Sequence, residues 1–274
     1  MSVDREITKH YEHGALEKAI IDALVTIGKT PDKLTAADLA PVDEFHIGGR
    51  QATMDLAAQL DLPHGARVLD VGSGLGGPSR YFAQERGWRV DGIDLTPEYV
   101  EVAGRLSRRV GLGDAVSYRE ASALSLPFPD RTFDGAYMLH VGMNIADKKT
   151  AFAEVHRVLK PGALFAIYDV MRESDGDFAY PVPWSSAPET NFIASSEVYR
   201  KELVAAGFAI MKERSRRDFA LEFFAQMRQR MAAGGPPAPG LQIVMGATAP
   251  QKVTNMMGML QRGLFAPTEI ISRA

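Results

Sequence analysis

Cysteine is absent from this sequence of 274 residues. Its absence excludes disulfide bonds, cysteine-ligated metals and thiol nucleophiles, and it suits a reducing compartment. Long apolar runs are missing too: no stretch approaches roughly 18 uninterrupted apolar residues, so no membrane span is predicted. The first residues, MSVDREITKHYEHG, carry both signs of charge and lack the apolar stretch of a signal peptide. We therefore expect a cytoplasmic protein with no membrane association.

An excess of one charge sign is also lacking. The chain has 31 Lys and Arg against 34 Asp and Glu, a formal net charge of -3, and no long basic run. A nucleic-acid partner is therefore not expected. Neither an H-E-x-x-H motif nor a tight group of Asp, Glu and His occurs, so no metal site is predicted. With 46% hydrophobic residues the chain can bury a sizeable core.

The order of apolar patterns predicts an α/β fold. Residues 1–60 have helical spacing and are interpreted as an N-terminal helical cap. From residue 61, short apolar runs alternate with helical segments, which is typical of a doubly wound, mostly parallel sheet. We assign residues 61–216 and 263–274 to this α/β core. Residues 217–262 are interpreted as a helical insertion before the last strand, acting as a lid over a substrate.

A glycine-rich turn is the strongest motif. In VLDVGSGLGGPSRYF, Gly72, Gly74 and Gly76 stand between a predicted strand and a predicted helix, where glycine lets a ligand approach the backbone. Gly72, Gly74 and Gly77 also satisfy G-x-G-x-x-G, and Asp94 follows about 20 residues later at the end of the second predicted strand. A nicotinamide dinucleotide and S-adenosylmethionine both carry a ribose that Asp94 can bind. The glycines alone do not choose between them.

Asp70, two residues before the first glycine, favours a ligand with an ammonium and a sulfonium, since a carboxylate there would crowd a pyrophosphate. With SALSLPFPDRTFDGAYMLH and HRVLKPGALFAIYD further along, residues 66–170 resemble a class I S-adenosylmethionine-dependent methyltransferase. DEFHIGG and LHVGMNI extend the resemblance to small-molecule methyltransferases. These include the glycine, sarcosine and dimethylglycine N-methyltransferases, the phosphoethanolamine methyltransferases, and sugar or natural-product O-methyltransferases.

The resemblance implies a role for each matching position. Asp70 and the glycine turn would hold the methionine part, Asp94 the ribose, and the segment around Ser122 the adenine. Many relatives have Asp where this chain has Ser122, so the adenine contact is expected to be weaker or water-mediated. The full set of implied cofactor-binding residues is Asp70, Gly72, Ser73, Gly74, Gly76, Asp94, Leu95, Ala121, Ser122, Ala123 and Leu139.

His140 follows the predicted fourth strand and is interpreted as the general base, since an imidazole suits proton removal near neutral pH. In phosphoethanolamine methyltransferases a histidine in a similar Leu-His context pairs with an N-terminal tyrosine, and the resemblance gives Tyr11 that part. The alternative is that His140 only orders its loop. Candidate residues for contact with the acceptor substrate are His46, Asn144, Tyr180, Trp184 and Phe223.

Each acceptor-contacting candidate has a structural alternative. His46 can be a satisfied structural histidine, and Asn144 can cap the helix near residue 147. The aromatic residues can be core, as aromatic stripes at helical spacing usually are.

The function predicted from this sequence is methyl transfer from S-adenosylmethionine to a nitrogen or oxygen, or to a carbon, of a small molecule. Two alternatives remain at this point. One is a methyltransferase-fold cyclase or binding protein that transfers no methyl group, and the other is an NAD-dependent oxidoreductase. The sequence leaves the acceptor and the oligomeric state open, although the helical insertion offers a contact for a homodimer.

Overall fold

The fold is an α/β sandwich around one mixed sheet. A computed structural model gives the structure of the protein and describes residues 6–8, 10, 15–233 and 240–274. Within them the strands are β1 (Arg67–Val71), β2 (Arg89–Asp94), β3 (Val116–Glu120), β4 (Phe133–Leu139), β5 (Leu159–Arg172), β6 (Ala209–Ser215) and β7 (Phe265–Arg273). The helices are α1 (Leu16–Thr26), α2 (Ala36–Asp43), α3 (Gly49–Ala57), α4 (Gly77–Arg86), α5 (Pro97–Arg109), α6 (Lys148–Val158), α7 (Ser196–Ala205), α8 (Arg217–Ala232), α9 (Gly240–Met245) and α10 (Ala249–Arg262).

The sheet has seven strands in the order β3-β2-β1-β4-β5-β7-β6. The first five strands pair in parallel, whereas β7 runs antiparallel to both β5 and β6. This confirms the doubly wound, mostly parallel sheet. The order reverses direction at β1, which has β2 on one side and β4 on the other. Open α/β sheets bind ligands at such a reversal, beyond the carboxyl ends of the strands.

The helices before β1 follow the apolar spacing of the sequence. Leu16, Ile20 and Leu24 are buried on one face of α1. Helix α2 begins with a capping box, in which the Thr35 side chain accepts from the backbone of Asp38 and the Asp38 carboxylate accepts from the backbone of Thr35. Helix α1 packs against α5, and α2 and α3 pack against α4.

The helices between β6 and β7 divide between two apolar clusters. Helices α8 and α10 pack beside β7, where Phe224 and Met259 join the cluster around Phe265. Helix α9 packs instead with α1 and α2, and its Val244 lies in the cluster around Leu16. The segment predicted as a lid therefore contacts both the sheet and the N-terminal helices. In the part of the chain with described coordinates, no helix is long and apolar enough to cross a membrane.

Candidate functional site

A cavity of about 270 Å³ lies beyond the carboxyl ends of β1, β2 and β4, at the reversal of strand order. Of the predicted cofactor-binding residues, those that line it are Asp70, Gly72, Ser73, Gly74, Asp94, Leu95, Ala121, Ser122, Ala123 and Leu139. Three further predicted residues also line this cavity: His46, His140 and Asn144. The structure therefore brings together residues that are far apart in the sequence.

The glycine turn after β1 leaves its backbone open to the cavity. Gly74 has a positive φ of 52°, and a Cβ built there would meet nothing within 4 Å. Its N–H donates to the Asp94 carboxylate at 2.8 Å, which ties the turn to the end of β2. The Ser73 hydroxyl is buried and has no hydrogen-bond partner. A buried hydroxyl without a partner at an open turn suits a polar ligand.

Gly76 is placed differently from the other glycines of the turn. It does not line the cavity, and a Cβ there would lie 2.3 Å from the Tyr118 hydroxyl and 2.9 Å from Arg80 Nη1. The residue is therefore needed as glycine because α4 and the side chains of Tyr118 and Arg80 pack against it. Direct ligand contact, expected from the sequence, is not what this geometry provides.

Two carboxylates face the cavity from the ends of adjacent strands. Asp70 is 2% exposed and accepts a hydrogen bond from the Ser79 hydroxyl at 2.6 Å, and burial raises its pKa to about 7. Asp94 accepts from the backbone N–H groups of Gly74 and Thr96, and burial raises its pKa as well. A ligand cation beside Asp70 would favour the ionised carboxylate and lower that pKa.

The wall beyond Asp94 is made of Leu95 and the Ala121–Ala123 segment. The Ser122 hydroxyl accepts from the backbone N–H of Leu124 at 3.2 Å, so it also stabilises its own turn. These side chains are small or apolar, which suits contact with an apolar or aromatic group of a ligand. Ser122 thus contributes a neutral hydroxyl to this part of the cavity.

His140 comes directly after β4, with a backbone that few non-glycine residues adopt. Its φ is 54°, and its N–H donates to the Tyr168 carbonyl at 2.8 Å. Its Nε2 is buried without a hydrogen-bond partner. Burial, together with the nearby His46, lowers the pKa of His140 well below its usual value, so the ring is neutral. Strained backbone and an unpartnered polar atom commonly coincide at functional positions.

His46 lies beside His140 in the loop between α2 and α3, with the two ring centroids 5.9 Å apart. Burial lowers the pKa of His46 to about 4. Both rings also contact Tyr168, whose hydroxyl donates to the Ile47 carbonyl at 2.9 Å and so holds this loop. The cavity therefore has two neutral imidazoles, His46 and His140, in its lining.

Asn144 lines the cavity from the short helix that follows His140. The alternative that it caps the helix near residue 147 is wrong, because Asp147 occupies that position. The Asp147 side chain accepts from the backbone N–H of Thr150 at 3.0 Å. Asn144 therefore lies in the cavity wall and does not cap that helix.

The aromatic candidates for acceptor contact lie outside the cavity. Tyr180 and Trp184 are joined through Asn191, which donates to the Tyr180 hydroxyl at 2.8 Å and accepts from the Trp184 indole at 3.0 Å. Phe223 belongs to the same apolar cluster, which packs α8 and α10 against β7. Tyr180 and Trp184, between β5 and α7, and Phe223, on α8, therefore pack into this core, as the structural alternative describes. Tyr11 falls outside the described residues.

Among the cavity residues that were not predicted from the sequence, one is a buried carboxylate. Asp43, at the end of α2, lines the cavity, and its Oδ2 accepts from Arg80 at 2.5 Å. Both side chains are 1% exposed, and Arg80 also donates to the Leu75 carbonyl within the glycine turn. The only sequence signal was an arginine in the otherwise apolar helix start GPSRYFA.

Residues 69–167 match the family model described as "Methyltransferase domain". The chain contains a methyltransferase domain. The matched range holds Asp70, Asp94 and His140, whereas Asp43 and His46 lie before it. In the described part of the chain, no group of three or more His, Asp or Glu side chains is arranged to hold a metal ion.

Curated relatives align with this methyltransferase domain over part of their length. Sterol 24-C-methyltransferase of Eremothecium gossypii is 33% identical over 60% of this chain and 45% of its own. Erythromycin 3''-O-methyltransferase of Saccharopolyspora erythraea is 34% identical over 64% of this chain and 62% of its own. The chain thus spans about half the length of such relatives.

A solved structure extends the fold similarity over nearly the whole chain. Geranyl diphosphate C-methyltransferase from Streptomyces coelicolor has a TM-score of 0.71 with 16% identity. The alignment covers 100% of this chain and 98% of that one. At this identity the match shows a shared fold, including the helices outside the methyltransferase domain.

Proposed function

We propose that the protein transfers a methyl group from S-adenosylmethionine to a small-molecule acceptor. The observation that carries this proposal is the arrangement of Asp70 and Asp94 on adjacent strands beside an open glycine turn, in one cavity with His140. The two carboxylates match a ligand with an ammonium group at one end and ribose hydroxyls near the other. This is the pattern that the chemistry of the methyl donor requires.

The residues present fit that donor. Asp70 is placed for its ammonium group, the Ser73 hydroxyl and the Gly74 backbone for its polar methionine part, and Asp94 for the ribose. Leu95 and the Ala121–Ala123 segment would face the adenine. The buried, unpartnered Ser73 hydroxyl supports the assignment, since such an atom is stabilised when a ligand binds it.

When bound, the donor supplies an already activated methyl group on a sulfonium. The protein's task is then mainly to align the acceptor and exclude water, and positioning of this kind is worth roughly 7–11 kcal/mol. His140, neutral and with a buried Nε2 free of partners, is the candidate to take the acceptor's proton. An acceptor whose nucleophilic atom carries no proton would need the same alignment but no base.

The relatives support a small-molecule acceptor without selecting the acceptor atom. Those described above are a sterol C-methyltransferase and an erythromycin O-methyltransferase. The N-terminal helices and α9 close over the cavity, with Ile7 and Val244 in its wall. A cavity enclosed in this way suits a compact acceptor better than an extended polymer. Carbon, oxygen and nitrogen nucleophiles are all compatible with it.

The proposal is tested by calorimetry followed by an acceptor screen. We expect S-adenosylmethionine and S-adenosylhomocysteine to bind, and NAD not to bind. The full chain is then incubated with S-adenosylmethionine and a panel of amines, phenols, sugars and terpenoid alcohols, while S-adenosylhomocysteine formation is followed. Binding of NAD without binding of the sulfonium would overturn the proposal. Cofactor binding with no S-adenosylhomocysteine from any acceptor would instead favour the cyclase or binding-protein alternative.

A further inference from the structure

A chain of buried polar groups lies behind His46. Thr53 Oγ1, on α3, is 2.6 Å from Glu44 Oε2 and 3.1 Å from His46 Nε2. Thr53 is fully buried, and the side chains of Glu44 and His46 are 1% and 3% exposed. The other carboxylate oxygen of Glu44 is buried without a partner. Polar groups that serve only to hold a loop are normally fully paired. The unpaired oxygen of Glu44 in this row of polar side chains therefore calls for a functional explanation.

The hydrogen bonds fix the tautomer of His46. Its Nε2 lies 3.0 Å from the Gly49 carbonyl, and a carbonyl can only accept, so Nε2 carries the hydrogen. Thr53 Oγ1 can then accept from the same N–H while its own hydrogen goes to Glu44. Nδ1 consequently holds the lone pair. His46 is thus a neutral imidazole with one defined proton-accepting atom.

We propose that His46 is a second proton-accepting imidazole of the site, with Thr53 and Glu44 as the residues that position it and stabilise its protonated form. The inference rests on the proposed function and deepens it. As the acceptor's nucleophile gains the methyl group, its proton would pass to Nδ1 of His46, with Nε2–H kept on Gly49 and Thr53. Glu44 Oε2, 3.7 Å from Nε2, would then face an imidazolium.

The surrounding charges determine when this arrangement can work. Burial and the neighbouring Asp43 raise the pKa of Glu44 to about 8, whereas Arg50 and Arg80 act to lower it. Burial alone lowers the pKa of His46 to about 4. Near neutral pH the proton therefore resides on Glu44 and His46 is neutral. Above a pH of about 8 Glu44 is ionised and faces His46 as a carboxylate, so the two groups titrate as a pair.

Two further titratable groups contact the His46 ring. Tyr168 packs against it from β5, and its pKa is raised by burial, so it stays neutral. His140 faces it from the end of β4 and is also neutral. Tyr81, on α4, senses the charge of Glu44 and has its pKa raised mainly by burial. Glu44 is thus the partner closest to His46 that can supply a negative charge.

The test is a pH titration of the full chain labelled with 13C and 15N in histidine, with no ligand needed. Signals of His46 are identified by their loss in His46→Gln. We expect the Nε2-protonated tautomer, and an inflection in the His46 ring shifts near the pH where Glu44 titrates, about 8. Glu44→Gln should abolish the inflection, Thr53→Val should reduce it, and Thr53→Ser should retain it.

Thr268→Val, at a buried threonine of β7 away from the network, is the matched control and should leave the inflection unchanged. An Nδ1-protonated ring, or an inflection that persists in Glu44→Gln, would overturn the proposal. These readouts require neither cofactor nor turnover, so they stand whether or not methyl transfer is detected.

A second experiment measures kcat as a function of pH with any acceptor that the screen identifies. There, Glu44→Gln should lose the pH dependence near 8 and lower kcat by about tenfold or more, with S-adenosylmethionine affinity within about twofold of wild type. Equal loss in Thr53→Ser and Thr53→Val would mean that the hydroxyl has only a packing role, which contradicts the proposal.

Discussion

The two ends of the cavity are built in different ways. At the end proposed for the cofactor, Asp70, Gly74 and Asp94 come from one short stretch of chain, and the two carboxylates already accept hydrogen bonds from neighbouring groups. At the other end, His46 and His140 come from distant segments, and His140 Nε2 has no partner. The first end is thus built around two carboxylates that already accept hydrogen bonds, whereas the second is built around two neutral imidazoles.

The largest effect is expected at the acceptor end. His140→Ala should reduce turnover by roughly 10²- to 10⁴-fold, because a positioned base contributes about that much. Cofactor affinity, measured by calorimetry, should change little. His64→Ala, at an exposed histidine, is the control. If both variants are equally active, the difference proposed between the two ends disappears.

The next effect concerns the buried ion pair between Asp43 on α2 and Arg80 on α4. Asp43→Ala should lower the free energy of unfolding by about 3–5 kcal/mol, because it leaves the buried Arg80 guanidinium without its carboxylate. Chemical denaturation measures the change. Asp22→Ala breaks the exposed pair with Lys18 and should have no measurable effect. Similar stabilities for the two variants would show that the N-terminal helices are not anchored through Arg80.

A smaller effect is expected at the ribose position. Asp94→Ala should weaken S-adenosylmethionine binding by about 1–3 kcal/mol, the usual range for a lost hydrogen bond to a charged group. Asp91 lies on the same strand, and its carboxylate pairs with Arg67. Asp91→Ala should leave the affinity for S-adenosylmethionine unchanged. Calorimetry measures the S-adenosylmethionine affinity of both variants. Unchanged affinity in Asp94→Ala would remove this carboxylate from the cofactor end.

The last expected effect is a pH dependence at Asp70. Its pKa is raised to about 7, so the folded chain holds a proton that the unfolded chain releases, and stability without ligand should fall as pH rises from about 4 to 7. Binding of an ammonium requires the carboxylate, so affinity should rise with pH by up to about tenfold per unit below 7. Asp70→Asn should flatten this dependence. A slope that survives in the variant would assign it to another group.

The cofactor end could be predicted from the sequence because its signals are local. A strand, a glycine turn and an acidic residue at the next strand end define one place in any doubly wound sheet. The sheet and the cavity position of Asp70 and Asp94 follow from that pattern. Gly76 shows the limit, since its contacts with Tyr118 and Arg80 depend on side chains from other elements.

The acceptor end could be predicted only in part. His46 and His140 were singled out by residue type, but their approach to 5.9 Å depends on how the N-terminal helices pack. Asp43 was missed because its partner Arg80 lies 37 residues away. Amphipathic spacing correctly predicts that Phe223 packs against apolar groups. Spacing alone does not say whether those groups belong to the protein core or to a ligand.

The left-handed backbone at His140 bears on how related chains would diverge. Glycine adopts this geometry freely, whereas a side chain there costs about 1–2 kcal/mol. On the base role proposed for His140, a descendant whose acceptor has no proton to lose would gain stability from a change to glycine at this position. The residue found there in a homologue would then indicate whether that homologue must deprotonate its substrate.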